Sequence, residues 1–424
     1  MHLHRRTQMS LARRTACVLS ALLVVIAPLA LTAPGGSAQA SGPHHGVRGS
    51  AQQVAIDWQR IAMRTVYAET TPTPPPPVGV VYIAFTSMAV HNAVKAVHRL
   101  RTPSARAAIA QAAHDELVEY FPGSSANLDR DLTATLDTVR NGRAKGQGVR
   151  IGAAAADAMI AARADDGRND PTVVYSKPLL PGYWQPPTGG GMAFAWLARM
   201  DQIVPTAPVA VNGPDPLTST EYARDYNEVR RVGSVGSTER TAEQTAIANF
   251  MAANQIPVYR DALCRVLEAD PLSLYRTTQL FARIDAAVVN AFIQTWGLKL
   301  DVGFWRPFQA IANADKDNNP GTEVEANWAP LVPNPSYSDY TSGHAAATSP
   351  MAEVVRRTLG EHTALTLRLV TPTGTLVRHY DTLSALEYDA FHARIWGGLH
   401  FRDAMEDGYY IGHKTARRVM RVLW

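Results

Sequence analysis

The sequence predicts a mainly α-helical bundle interrupted by long irregular loops. Three observations carry this. Apolar residues recur at helical spacing in one segment after another. Strand-like alternation is scarce, with RLVTPTGTLV (368–377) the one candidate hairpin. Stretches rich in Pro, Gly and aromatic residues, at 167–220 and 315–341, separate the helical blocks. With 424 residues and 46% hydrophobic content the chain can bury a sizeable core, which excludes wholesale disorder.

Taken in order, residues 1–40 read as an export signal. Arg5, Arg6, Arg13 and Arg14 precede an apolar run over 16–33, and a small-x-small site follows at Ala38-Gln39-Ala40. The run is short for a membrane anchor and Pro28 interrupts it, which favours a cleavable secretory signal over an anchor. Removing these four basic residues leaves 37 basic against 37 acidic, so the formal charge of +4 belongs to the signal. The mature chain is then electrically balanced, and composition offers nothing to a nucleic-acid partner. It keeps one cysteine, Cys264, and must be stable by its core alone.

Residues 41–53 read as a flexible leader. An N-terminal helical region spans 54–290, starting with VAIDWQRIAMRTVYAE and, after the proline run TPTPPPPVG, continuing with VVYIAFTSMAVHNAVKAVHRL. SARAAIAQAAHDELVEYF and Gly146–Asp165 follow. The small residues at four-residue spacing in the second suggest close helix packing. The 167–220 loop ends at a helix start near Ser219. Helices resume with EYARDYNEVRRVG, then TERTAEQTAIANFMAANQ, then a long one over 272–300. Residues 291–424 form an oxyanion-binding bundle integrated with the preceding region, with helices at 343–359, at 382–396 and from 401. No run of membrane-spanning helices is predicted in the mature chain.

Three clusters in the last third carry chemistry. Lys299 and Arg306 lie seven residues apart in an apolar stretch, a spacing that places both on one side of a helix unless Gly303 and Pro307 interrupt it. Basic residues in so apolar a frame usually have an anionic partner. Ser342-Gly343-His344 opens a helix, where unpaired N–H groups and a small side chain favour an anion. Taken alone, this tripeptide reads more readily as an ordinary helix cap. RIWGGLH (394–400) pairs Arg394 with His400 across a glycine break that starts a new segment at His400, or a plain glycine turn with a core histidine. Together the clusters supply cations and donors with no carboxylate among them, a set suited to a tetrahedral oxyanion rather than a bare divalent cation.

The order Lys-x6-Arg-Pro (Lys299, Arg306, Pro307), Ser-Gly-His (342–344) and Arg-x5-His (Arg394, His400) resembles the superfamily of vanadium-dependent haloperoxidases and type 2 phosphatidic acid phosphatases. VAIDWQRIA and TAEQTAIANF resemble its bacterial secreted haloperoxidase-related group more loosely. The resemblance implies a helical bundle of the haloperoxidase and acid phosphatase type and vanadate as cofactor. Lys299, Arg306, Ser342, the Gly343 amide and Arg394 would hold the oxyanion's oxygens. His400 would be the apical ligand, and His344 an acid–base residue with Lys299 assisting. The implied reactants are hydrogen peroxide and halide, with or without an organic acceptor. The alternatives are a secreted phosphatase with His400 as nucleophile, and a non-catalytic oxyanion-binding protein. The chain departs from the pattern at Thr341 (usually Pro), Ala393 (usually Ser) and Ala404 (usually a carboxylate). Asp403 and Asp407 flank the last position, which leaves the partner of His400 undefined.

Overall fold

The structure is a computed structural model, described here for residues 49–423. The expected export signal (1–40), and residues 41–48 of the expected leader, lie outside the described residues. Helix α1 (Ala51–Arg64) takes up the last three residues of that leader because Ser50 caps it, its hydroxyl accepting from the Gln53 amide at 3.2 Å. Helix α2 (Pro76–Leu100) starts on the proline run, where a missing N–H costs nothing. By length and composition α2 could cross a membrane, but 78% of its most apolar window is buried, as in a core helix.

Helices α3 (Ala105–Tyr120), α4 (Ser125–Asp137) and α5 (Arg143–Ala162) complete the first layer. The small residues of α5 do what their spacing suggests. A Cβ at Gly148 or Gly152 would run into the Ser104 or Ala108 carbonyl, so α5 and α3 pack backbone to backbone. Residues 163–219 form the long loop, pinned by side chains that bond its main chain. Asn290 accepts from the Ile203 amide at 2.9 Å and donates to the Val204 carbonyl at 2.6 Å, while Gln294 does the same for Val209.

Helix α6 (Thr220–Gly233) is capped by Ser219, as the sequence predicts. The next predicted helix is shorter than its pattern. A capping box of Thr241 and Gln244 starts α7 (Ala242–Ala252), and Asn254 then caps a separate α8 (Gln255–Ala269). The sequence reading missed α8, as it did α4. Both carry a helical pattern that this reading passes over: Val258, Tyr259, Ala262, Leu263 and Leu267 recur at helical spacing in α8, and Leu128, Leu132 and Leu136 in α4. Helix α9 (Leu274–Asp301) is the axis of the molecule. It is buried continuously from Thr277 to Ile293 and packs against α1, α2, α11 (Gly343–Leu359) and α13 (Arg402–Val422). Between these lie the short α10 (Pro307–Ala312), the hairpin β1 (Leu365–Thr371) and β2 (Gly374–Tyr380), antiparallel with Leu365 opposite Tyr380, and α12 (Leu383–Trp396).

Candidate active site

The site is built where α9, α11 and α12 end or begin. Lys299 sits in the last turn of α9. That helix stops at Asp301, and Gly303 turns the chain at φ 69°, a position where a Cβ would strike Lys177 and Tyr175. Lys299 and Arg306 therefore do not share one helix face, as their spacing allowed. Arg306 is the N-cap residue of α10, and the two converge by way of the turn.

Both cations are fully buried and hold one loop. Lys299 Nζ donates to the carbonyls of Ser338 and Asp339, each at 2.8 Å. Arg306 donates to Tyr337 O (2.7 Å), Leu399 O (2.8 Å) and Ser338 O (3.3 Å). The Tyr337 ring lies under both charges, 5.1 Å from Lys299 Nζ and 5.0 Å from the Arg306 guanidinium. The loop so held leads into α11, capped by Ser342, whose own amide is tied to the Ala404 carbonyl at 3.0 Å. Gly343 lies under Trp296, where a Cβ would approach the ring to 3.3 Å. Thr341, in place of the usual proline, is buried and exchanges a hydroxyl contact with Thr295 at 3.3 Å.

Arg394 sits in the last turn of α12, the chain breaks at Gly397 and Gly398 (φ 74°), and His400 stands just ahead of α13, as the glycine pair predicts. Arg394 is 3% exposed, and its Nε and Nη1 have no partner among the described residues. His400 is 2% exposed.

The expectation of a site without carboxylates is corrected here. Asp339, fully buried, places Oδ1 2.8 Å from His400 Nδ1, close but not aligned as a full hydrogen bond. The flanking candidates point elsewhere: Asp403 accepts from the Asp215 amide, and Asp407 from the Tyr340 hydroxyl. Asp339 lies in an irregular loop, so no periodicity marks it. Its only sequence signal is an aspartate three residues before Ser342, in a stretch of Ser, Tyr and Thr.

The electrostatics show that these residues share one environment. Burial first, then Arg306, Lys299, Arg394 and His344, hold His400 well below the ordinary histidine range. His344 is depressed likewise, by burial and then by Arg394, Arg306 and Lys299. Burial and Arg306 push Lys299 well down, and burial brings Arg394 to about 9. Asp339 rises to about 7 through burial, opposed by Arg306 and Lys299. The site is a cluster of cations and neutral imidazoles that an anion would relieve.

Above it lies a cavity of about 330 Å³ into which His344, Gly343 and Arg394 face, with Trp296, Tyr337 and Phe292 among its walls. Among the described residues no three His, Cys, Asp or Glu side chains are grouped to hold a metal ion directly. The donor set does fit an oxyanion. Beside the free N–H groups of Arg394, Lys299 keeps one of its three ammonium hydrogens, and Arg306 one on each terminal nitrogen.

Residues 279–423 match the family described as the VCPO second helical-bundle domain. Over most of the chain, the fold is similar to that of a bacterial vanadium-dependent iodoperoxidase (TM-score 0.70, 17% identity, 88% of this chain and 96% of that one). It is also similar to a bacterial vanadium-dependent chloroperoxidase in its apo form (TM-score 0.67, 18% identity, 84% and 96%) and in its holo form (0.62, 17%, 88% and 90%). No curated protein sequence matches the chain. Residues 279–423 thus match a haloperoxidase helical-bundle family, and the chain has the fold of the bacterial vanadium haloperoxidases.

Proposed function

We propose that this chain is an exported, vanadate-dependent haloperoxidase that uses hydrogen peroxide to oxidise halide to hypohalous acid. The observation that carries the reading is the buried cage in which three cations surround one histidine backed by Asp339. The names of the structurally similar peroxidases support it. Vanadate, when bound, supplies a Lewis acid that polarises peroxide.

The chain's own residues do the rest. Lys299, Arg306, Arg394, the Ser342 hydroxyl and the Gly343 amide would bind the oxygens of the anion and neutralise its charge. Asp339, beside His400 Nδ1, would favour the ring's proton there and leave Nε2 to hold the anion. His344, neutral near pH 7 and facing the cavity, takes and returns a proton at a ring nitrogen. The apolar walls restrict water, which strengthens each of these interactions. Export, read from residues 1–40, would place the enzyme where vanadate and halide are taken up from outside the cell.

A second reading is favoured by the same aspartate. Without a carboxylate at 404, a phosphatase with His400 as nucleophile lacks an orienting group; Asp339 provides one. One experiment separates the two. Purified protein is incubated with orthovanadate, peroxide and bromide, and halogenation of a phenolic dye is measured beside phosphomonoester hydrolysis without vanadate. Vanadate-dependent halogenation suppressed by phosphate supports the peroxidase. Hydrolysis blocked by vanadate supports the phosphatase, and silence in both leaves an oxyanion-binding protein.

A further inference from the structure

The even balance of charge over the chain conceals an uneven distribution. Residues 95–106, the end of α2 and the start of α3, contain Lys95, Arg99, Arg101 and Arg106 and no Asp or Glu. Residues 138–150, which lead from α4 into α5, contain Arg140, Arg143, Lys145 and Arg150, again with no acidic residue. The fold sets these stretches side by side. The Ser104 amide donates to the Ala144 carbonyl at 2.9 Å, Arg106 donates to the Thr138 hydroxyl at 3.4 Å, and Gly148 packs on the Ser104 carbonyl. Eight cations therefore share one face. Arg99, Arg101, Arg140, Arg143 and Arg150 are exposed, and the other three are half-buried.

None of the eight forms an ion pair among the described residues, and neither does Asp137, the carboxylate at the end of α4. Arg60, Arg230 and Arg402, on other parts of the surface, all do. Helices α3 and α5 both begin on this face, so the positive ends of their dipoles add to its field. Like charges gathered in this way repel one another and weaken the compact state. Composition does not force the arrangement, since residues 41–424 hold 37 basic and 37 acidic residues. An anionic partner outside the chain would relieve it.

The apex of the face selects a lipid surface as that partner. Leu100 is 59% exposed between Arg99 and Arg101, where α2 ends and Arg101 turns the chain at φ 61°. A soluble polyanion gains nothing by covering a leucine. The headgroup region of an anionic bilayer takes up both an apolar tip and the cations around it. The face is also remote from the cage. The His98 ring packs against Tyr275 in the first turn of α9, with centroids 5.9 Å apart. Lys299 lies 24 residues beyond Tyr275 on the same helix, about 36 Å at about 1.5 Å per residue.

We propose that this face docks the protein on an anionic phospholipid surface, held by charge, with Leu100 as a shallow apolar contact. The attachment is peripheral, because the most apolar window of α2 is mostly buried inside the protein. It does not depend on the halide chemistry, and it leaves the cage clear of the bilayer.

The test uses residues 46–424, a compact unit that contains every described helix and strand, so that the basic and apolar leader cannot contribute. Flotation measures binding to vesicles of phosphatidylcholine alone and to vesicles that also contain phosphatidylglycerol. Inorganic polyphosphate serves as the soluble polyanion. The expected result is binding to the anionic vesicles only, lost at about 1 M salt, where the screening length is about 3 Å. Each cation near such a surface is worth about fivefold in partition. The combined variant Arg99→Glu, Arg101→Glu and Arg143→Glu should therefore bind about 100-fold more weakly or worse. Reversing Arg231, Lys316 and Arg368 to Glu, away from this face, should change binding far less. Leu100→Ser should weaken vesicle binding by about three- to tenfold and leave polyphosphate binding unchanged. Equal binding to both kinds of vesicle, or equal loss in the two charge-reversed variants, overturns the proposal. Polyphosphate bound more tightly than anionic vesicles, with Leu100→Ser indifferent in both, also overturns it and assigns the face to a soluble polyanion.

Discussion

Asp339 Oδ1 stands 2.8 Å from His400 Nδ1, with both residues removed from solvent. A buried carboxylate beside an imidazole fixes which ring nitrogen carries the proton. Asp339→Asn keeps the size and removes the charge. Its affinity for orthovanadate should fall by about 10- to 100-fold, the usual cost of losing such a partner. Equilibrium dialysis of the purified variant would check this. Unchanged retention would remove Asp339 from the site. His400→Ala should abolish retention altogether.

Arg394 carries the unpartnered N–H groups of the cage, and a buried guanidinium without a partner is a liability to the fold. Arg394→Met should therefore act in two directions. Orthovanadate affinity should drop by at least about tenfold, since hydrogen bonds to a charged group are worth about 1.5–3 kcal/mol. The Tm of the vanadate-free protein should hold or rise. Titration calorimetry and a thermal melt on the same sample check both.

Glu116 on α3 is fully buried, and neither of its carboxylate oxygens has a partner among the described residues. Burial, opposed by Arg168 and assisted by Glu119, lifts its pKa to about 8. The unfolded chain ionises this group near pH 4.5 while the folded one stays protonated. Its contribution to stability is thus fully present below pH 4.5 and is lost as pH rises toward about 8. Glu116→Gln should flatten that decline and raise the Tm at pH 8. His91, depressed to about 4 mainly by burial, slopes the other way: its contribution is present above pH 6.5 and is lost as pH falls toward about 4. Melts across pH 4–9 separate the two.

Gly152 has no room for a side chain, since a Cβ there meets the Ala108 carbonyl of α3. Gly152→Ala should destabilise the protein by about 1–3 kcal/mol despite alanine's better helix propensity, because overpacking against a backbone outweighs that gain. Urea unfolding measures it. A more stable variant would show that the two helices can separate at no cost.

The cage was legible in the sequence because its parts are local motifs at fixed spacing. Lys299, Arg306, His344 and Arg394 lie within electrostatic reach of His400, Ser342 and Gly343 head α11, and α9, α11, α12 and the hairpin lie where pattern and caps place them. What escaped is what only the fold brings together. Asp339 acts through a residue 61 positions away and sits in a loop, where no period distinguishes one aspartate from another. The cavity above the cage is equally a product of the fold, its walls coming from the 75–77, 194, 254–256, 292–296 and 333–337 segments. Of the two arrangements that the spacing of Lys299 and Arg306 left open, the structure has the interrupted one, with a turn at Gly303 joining them.

The contacts of Lys299 and Arg306 run to main-chain carbonyls of residues 337–339 and 399. Peptide carbonyls are common to every residue type. The two cations therefore read the path of the backbone through that segment. Its lettering is held separately: the Ser338 hydroxyl donates back to the Lys299 carbonyl at 2.8 Å, the Tyr337 ring lies under both charges, and Asp339 stands beside His400. Heritable variation at these three positions is closed off twice, once by shape and once by side chain.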